Sequence, residues 1–138
     1  MNGDAMKQTA VLYIATLVAL VAIDFIWLSQ MGERLYRPVM KDMVLQDFRP
    51  VPAIVFYLIF AFGLVWFAGL PAVNDASVRT ALVNGAMMGF VAYATYDLTN
   101  QATLREWSTV LTLADLAWGT ILSAAASAIG YAAAKTFA

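Results

Sequence analysis

Two motifs of the form Asp-x-x-Trp, Asp24 with Trp27 and Asp115 with Trp118, each place a carboxylate inside a long apolar run. A carboxylate within the hydrocarbon of a membrane is energetically costly, so such residues usually mark a site for an ion, a proton or a ligand. Residues three apart share one face of a helix, so each tryptophan can wall a pocket beside its aspartate. An aromatic face in that position attracts a cation. The motifs therefore predict an acidic and aromatic ligand site.

The same residues have a structural interpretation, which stays open at the level of sequence. A protonated aspartate, or one that accepts from an indole or a hydroxyl, can hold two membrane helices together for about 1 kcal/mol. Plain packing equally accounts for Trp27 and Trp118. The repeated motif has two fixed letters in a chain with four tryptophans, so it is weak evidence for an inverted repeat.

A third aspartate belongs to a face that combines small and polar side chains. Gly85, Gly89, Tyr93 and Asp97 recur every four residues and so lie on one side of a helix. The pair Gly85 and Gly89 permits close approach of a second helix and predicts helix packing. Tyr93 and Asp97 extend this face into a polar one and join the predicted ligand site. For Asp97, a helix-end residue in contact with water is an equal alternative.

The composition is that of a membrane protein. Of the residues, 62% are hydrophobic and 12% are charged, whereas soluble domains are about 45–50% apolar and about 25% charged. The absence of cysteine and histidine excludes disulfides, thiol and imidazole catalysis, and histidine-ligated zinc or haem. The sequence predicts no cofactor, no metal site and no catalytic residue. A net charge of −1 gives no general attraction to nucleic acid.

Apolar runs long enough to cross a membrane, at about 20 residues each, determine the predicted fold. They cover about residues 9–29, 53–70, 78–98 and 109–134. In lipid such runs must be helices, because each backbone amide needs a partner within its own segment. We therefore expect an all-α integral membrane protein, with four transmembrane helices in a bundle and a single membrane domain over 1–138. Residues 30–49 mix charges with Met, Leu and Val at helical spacing and predict an interfacial amphipathic helix, with a solvated loop as the alternative.

The predicted topology places the three aspartates in the same half of the membrane. Asp24 lies five residues before the end of the first span and Asp115 six residues after the start of the fourth, so both are about 8–9 Å deep. Asp97 lies in the last turn of the third span, on the same side. No lysine or arginine lies at that depth. Either one carboxyl is protonated or a cation joins them, and Arg34 or Arg105 from the loops is the first candidate.

The chain resembles a bacterial family of small predicted membrane proteins, the "domain of unknown function 2177" family, from about Met6 to Ala134. The resemblance rests on three motifs: Asp24-Phe25-Ile26-Trp27, Tyr96-Asp97-Leu98-Thr99-Asn100 and Asp115-Leu116-Ala117-Trp118. It implies a four-span protein of the bacterial inner (plasma) membrane and implies no activity. Five basic residues on the side of 30–49, against three on the side of the termini, weakly predict that 30–49 is cytoplasmic. Both termini would then lie on the opposite side.

In size and span count the chain is also similar to the small multidrug-resistance transporters, which work as dimers around a carboxylate in the first span. It departs from them in having aspartates in three spans and a long amphipathic first loop, so the similarity serves as an analogy for mechanism only.

These features support one leading hypothesis of function and two alternatives. The first is binding, with transport as a further step, of a small cationic or amphiphilic ligand at Asp24, Trp27, Tyr93, Asp97, Asp115 and Trp118, coupled to protonation. The second is a membrane-embedded enzyme or accessory protein acting on a lipid or isoprenoid, although no diphosphate-binding motif is present. The third is a structural subunit of a larger membrane complex. The expected partners are the bilayer and a cationic or lipid-like ligand, with a homodimer left open.

Overall fold

The computed structural model describes residues 2–44 and 48–138, and over these residues it contains helices and no strand. Four helices are long: α1 (Gly3–Met31), α3 (Pro50–Leu64), α5 (Val78–Thr103) and α6 (Thr109–Phe137). Ser77 caps α5 and Ser108 caps α6. Each hydroxyl accepts a hydrogen bond from the backbone N–H three residues later, which explains why these helices begin where the sequence predicts. The predicted all-α membrane fold is confirmed.

The second predicted span continues beyond its expected end at about residue 70 and past Pro71. From α3 the chain passes through a π-helical turn, Val65–Gly69, into α4 (Leu70–Asp75), and ends at Ala76 with a left-handed φ of 50°. Pro71 has no N–H to donate to the carbonyl of Phe67, four residues earlier. The side chain of Asn84 on α5 donates to that carbonyl instead, at 3.1 Å. A tertiary hydrogen bond and a widened turn therefore carry the helix past the proline.

The connection between the first two spans begins as a direct extension of α1. A π-helical turn (Gly32–Tyr36), α2 (Arg37–Met40) and a 3₁₀ turn (Lys41–Met43) follow directly, and the chain turns at Lys41, which has a positive φ of 52°. Pro38 lies in the first turn of α2, where a proline is tolerated, so it does not interrupt the helix. The predicted apolar Leu45 and charged Asp47 lie outside the described residues.

Three helical rods of the described chain are long and apolar enough to cross a membrane: Gly3–Met43, Pro50–Asp75 and Thr109–Phe137. α5 is long enough, with 26 residues, but its polar side chains keep it out of this set. Its single carboxylate, Asp97, is fully buried in the protein. The predicted four long helices are present, and hydropathy alone supports three of them as spans.

Helix α6 is central in the bundle and packs against both α5 and α1. The contact with α5 depends on glycine. A Cβ atom at Gly89 would clash with the carbonyl oxygen of Gly119, and one at Gly85 would lie 2.7 Å from that of Ser123. Gly119 is covered in turn by the ring of Tyr93, which an added Cβ would also clash with. The predicted packing face of α5 is thus directed at α6 of the same chain.

We expect Gly89→Ala to lower the free energy of unfolding by about 1–3 kcal/mol, because the new methyl group meets backbone that cannot move aside as a side chain can. The measurement is reversible unfolding in detergent micelles. Gly3→Ala is the matched control, since nothing lies within 4 Å of its added Cβ. Equal stabilities for the two variants would contradict the close contact between α5 and α6.

Candidate functional site

A cavity of about 350 Å³ lies among α1, α3, α5 and α6, at the end of the bundle that carries the Gly32–Met43 segment. Its wall is mostly apolar and aromatic, with two carboxylates. The lining residues are Asp24, Leu28, Tyr36, Phe56, Ala92, Tyr93, Tyr96, Asp115 and Trp118. Every long helix contributes to it, so the cavity exists only when the bundle is assembled.

The carboxylate of Asp24 is buried and accepts two hydrogen bonds from other helices. The hydroxyl of Tyr57 on α3 donates to Oδ2 at 2.5 Å, and the indole Nε1 of Trp118 on α6 donates to Oδ1 at 2.9 Å. Both donors are neutral. They satisfy the hydrogen bonding of the carboxylate, and no second charged group has to be desolvated to do so. Asp24 thereby ties α1 to α3 and to α6.

The carboxylate of Asp115 is held in a similar way by the extension of α1. It is buried and accepts from the hydroxyl of Tyr36, which in turn accepts from the indole Nε1 of Trp27 at 2.8 Å. A chain of two hydrogen bonds therefore runs from Trp27 through Tyr36 to Asp115. It holds the Gly32–Met43 segment against the end of the bundle.

The two tryptophans of the repeated motif stack on each other. The ring centroids of Trp27 and Trp118 are 4.4 Å apart and the planes are within 7° of parallel. Each indole serves the aspartate of the other motif: Trp118 bonds Asp24 directly, and Trp27 reaches Asp115 through a tyrosine. The motifs are thus cross-connected between α1 and α6, a pairing that spacing within one helix does not reveal.

Asp97 lies behind the cavity wall and does not line it. It is 0% exposed, and neither of its carboxylate oxygens has a hydrogen-bond partner among the described residues. Its carboxyl interacts with that of Asp115. One turn further along α5, the Oε1 atom of Gln101 is also buried without a partner within the described chain. Asp97 is therefore a buried residue, and the alternative of a helix end in contact with water does not hold.

The structure brings the six predicted site residues into one region, but they differ in whether they line the cavity. Four of them line the cavity: Asp24, Tyr93, Asp115 and Trp118. Trp27 lies behind Trp118 in the stacked pair, and Asp97 lies behind Asp115. Within residues 2–44 and 48–138, no group of three His, Cys, Asp or Glu side chains is arranged to hold a metal ion.

The two tyrosines that bind the aspartates, Tyr57 and Tyr36, are not among the predicted site residues. Tyr57 lies seven residues after Pro50, about 10 Å along α3. Asp24 lies a similar distance from the end of α1, so matching depths would have indicated their contact. Tyr36 gave no such signal, because its position depends on how the segment after α1 folds against the bundle.

The expected loop cations do not reach the carboxylates. Arg34 and Arg105 are exposed, and no ion pair joins an aspartate of this site to a lysine or arginine of the described residues. Tyrosine hydroxyls and a tryptophan indole take that place. An arginine or lysine side chain that reached into the bundle would bury a second charge. That burial is costly unless hydrogen bonds fully satisfy the ion pair.

The fold and the site define an α-helical membrane protein with a buried acidic and aromatic cavity. A family model described as "Predicted membrane protein (DUF2177)" matches residues 9–132, and the chain belongs to that family. The resemblance inferred from the three motifs is confirmed. Comparison with curated proteins and with solved structures finds no match.

We expect Tyr57→Phe to lower the free energy of unfolding by about 1–3 kcal/mol, because a buried carboxylate loses one donor. Tyr131→Phe is the matched control: that ring is also buried, and its hydroxyl makes no hydrogen bond within the described part of the chain. Combining Tyr57→Phe with Asp24→Asn in a double-mutant cycle should give a coupling energy well above that of Tyr131→Phe with Asp24→Asn. Equal couplings would contradict the Tyr57–Asp24 bond.

Proposed function

We propose that the protein binds a small organic cation in the cavity between Asp24 and Asp115. The observation that carries this proposal is the pairing of two buried carboxylates in one cavity with no lysine or arginine of the described residues as counterion. Negative charge inside a low-dielectric bundle attracts a cation and disfavours an anion or a neutral polar molecule. The neutral donors on these carboxylates orient them and leave the charge for the ligand.

The remainder of the lining favours an organic cation over a hydrated inorganic one. The rings of Trp118, Tyr93, Tyr96, Tyr36 and Phe56 face the same space as the carboxylates. Aromatic faces stabilise alkylammonium groups through their quadrupoles, by about 0.5–2 kcal/mol each. The volume of about 350 Å³ is within the range of small-molecule sites, about 300–1,000 Å³. These features together match a quaternary or tertiary amine.

Binding and protonation should compete in this site. The ionised form of each carboxylate is the one that neutralises a cation, so proton binding and ligand binding draw on the same groups. Ligand binding is therefore expected to release protons. Transport would follow if the loaded site opened alternately to the two sides of the membrane.

The orientation of the protein forms part of the proposal. The side of the cavity carries Arg34, Arg37, Lys41, Arg49 and Arg105, and the opposite side carries fewer basic residues. The positive-inside rule weakly favours a cytoplasmic cavity end with both termini on the opposite side, and we propose this orientation in a bacterial inner membrane.

The two alternative functions have less support. A structural subunit was expected to pack on its partner through Gly85 and Gly89, but α6 of the same chain covers this face. A lipid enzyme needs an acid and a base at a reacting bond, and the hydrogen bonds of Asp24 and Asp115 instead suit fixed charges that hold a ligand. A homodimer is compatible with the proposal, which requires only one chain for the site.

The proposal predicts that Asp24→Asn and Asp115→Asn each weaken binding of tetraphenylphosphonium by about tenfold or more, equivalent to about 1.4 kcal/mol. The measurement is equilibrium binding of the radiolabelled cation to the protein in lipid nanodiscs. Asp4→Asn is the control, because it makes the same change of charge at an exposed residue in the first turn of α1. Thermal unfolding of each variant establishes that it is folded.

A folded Asp24→Asn, Asp115→Asn double variant that binds the cation as tightly as the unchanged protein would contradict the proposal. Proton release on binding, measured in weakly buffered solution, tests the coupling separately. Binding without any proton release at acidic pH would retain the cation site and remove the competition with protons. Uptake into proteoliposomes then distinguishes transport from binding alone.

A further inference from the structure

We infer that the ligand of this cavity carries an apolar tail and reaches it from within the membrane, through an opening between α3 and α5. This inference rests on the proposed cation site and specifies the class of ligand: a cationic single-headed amphiphile. Three residues of the cavity wall form the rim of the opening, Leu28 on α1, Phe56 on α3 and Tyr96 on α5.

The opening exists because α3 and α5 diverge toward the cavity end of the bundle. The π-helical turn Val65–Gly69 packs closely on α5, whereas Pro50–Leu64 makes little contact with it. The rings of Phe60 and Tyr93, with centroids 6.4 Å apart, form one contact between the two helices. Beyond these rings α3 contacts α1 instead, through the bond from Tyr57 to Asp24. The space left between α3 and α5 leads into the cavity.

Exposure of the lining residues identifies the mouth of the cavity. Asp24 and Asp115 are buried, at 6% and 4% exposed, and mark its closed end. Leu28, Phe56 and Tyr96 line the same cavity but are 45%, 44% and 52% exposed. Residues that line a cavity and are also exposed lie at its edge. Tyr96 is held there by an edge-to-face contact with Trp107, whose indole donates to Thr112.

The rim lies at the depth of the acyl chains. Phe56 is six residues from the start of α3 and Tyr96 seven from the end of α5, so they are about 9 and 10 Å from the helix ends. α5 is about 39 Å long, against about 30 Å of hydrocarbon, so each end projects by about 4–5 Å. Phe56 and Tyr96 therefore lie about 5 Å inside the hydrocarbon. The side chains of the rim are apolar or aromatic, as contact with lipid requires.

The route from water is covered at the same end of the bundle. Tyr36, within the Gly32–Met43 segment, lines the cavity and donates to Asp115, while Trp27 donates to Tyr36. A ligand that entered past Tyr36 would displace a residue held by these two hydrogen bonds. A ligand that entered from the membrane would pass Leu28, Phe56 and the ring of Tyr96. Its cationic head would lie between Asp24 and Asp115, and its tail would extend past Phe56 into the lipid.

The test uses n-alkyltrimethylammonium ions, from tetramethyl to hexadecyltrimethyl, with the protein in lipid nanodiscs. Partitioning of each ligand into nanodiscs without protein is measured first. The affinity is then calculated from the concentration of ligand dissolved in the membrane. With a lateral opening, the tail stays in lipid, so this affinity should change less than about threefold from octyl to hexadecyl. A cavity closed to lipid would exclude the longer chains, and a loss of more than about tenfold over that range would overturn the inference.

Site-directed labelling provides a second, independent measurement, since the chain contains no cysteine. Phe56→Cys, modified with a bulky lipophilic maleimide, should bind the dodecyl ligand about tenfold or more slowly than the same variant without the label, which is the reference because Phe56 itself lines the cavity. Ile59→Cys is the matched control: it is on the same helix, 65% exposed and outside the cavity lining. Equal rates for both labelled variants would overturn the lateral route.

The results separate this inference from the proposed function. Failure of every chain length to bind, or binding that is unchanged in Asp24→Asn, overturns the cation site itself and the lateral route with it. Binding of tetramethylammonium that depends on Asp24, together with exclusion of long chains, retains the cation site and overturns only the lateral opening.

Discussion

The stacked pair of Trp27 and Trp118 is the interaction on which the rest of the site depends. Each indole has its ring in the apolar bundle and its N–H directed at an acceptor, which is the arrangement a buried tryptophan requires. The indole of Trp118 on α6 donates to Asp24 on α1, and that of Trp27 on α1 reaches Asp115 on α6 through Tyr36. A rotation of α1 against α6 would therefore deprive both aspartates of a hydrogen-bond partner. An unpaired carboxylate in a membrane interior costs several kcal/mol. The stack therefore fixes the relative rotation of the two helices, and Tyr57 and Tyr36 complete the shells of the aspartates it positions.

The polar site also depends on glycines that carry no polarity themselves. Gly89 and Gly119 let the backbones of α5 and α6 approach to a distance that a methyl group would prevent. This approach places the ring of Tyr93 over Gly119 and the carboxyl of Asp97 beside Asp115. Membrane helices gain little from burying apolar surface against each other, so packing of small residues is what brings them together. The same contact that stabilises the bundle therefore forms one wall of the cavity.

Helix periodicity and rise predicted the depth of the site but not its contacts. The rise of about 1.5 Å per residue correctly placed Asp24, Asp97 and Asp115 at one end of the bundle. The crossed pairing of the tryptophans was not predictable, because it depends on how two helices rotate against each other, which one-helix spacing does not determine. The predicted end at Pro71 was wrong for a related reason: Asn84, distant in sequence, satisfies the carbonyl of Phe67 that the proline leaves open. The position of Tyr36 beside Asp115, and the distance of Arg34 from the site, likewise depend on tertiary folding.

Asp97 connects the packing of the bundle with the charge of the cavity. Its oxygens have no donor among the described residues, and its carboxyl interacts with that of Asp115. Two adjacent carboxyls with no lysine or arginine of the described residues paired to them cannot both be ionised at low cost. On the proposed function, a cation in the cavity would contact only Asp115 of the two, yet it would lower the cost of ionising both. The charge that the pair holds would then depend on whether the cavity is occupied, although Asp97 does not line the cavity.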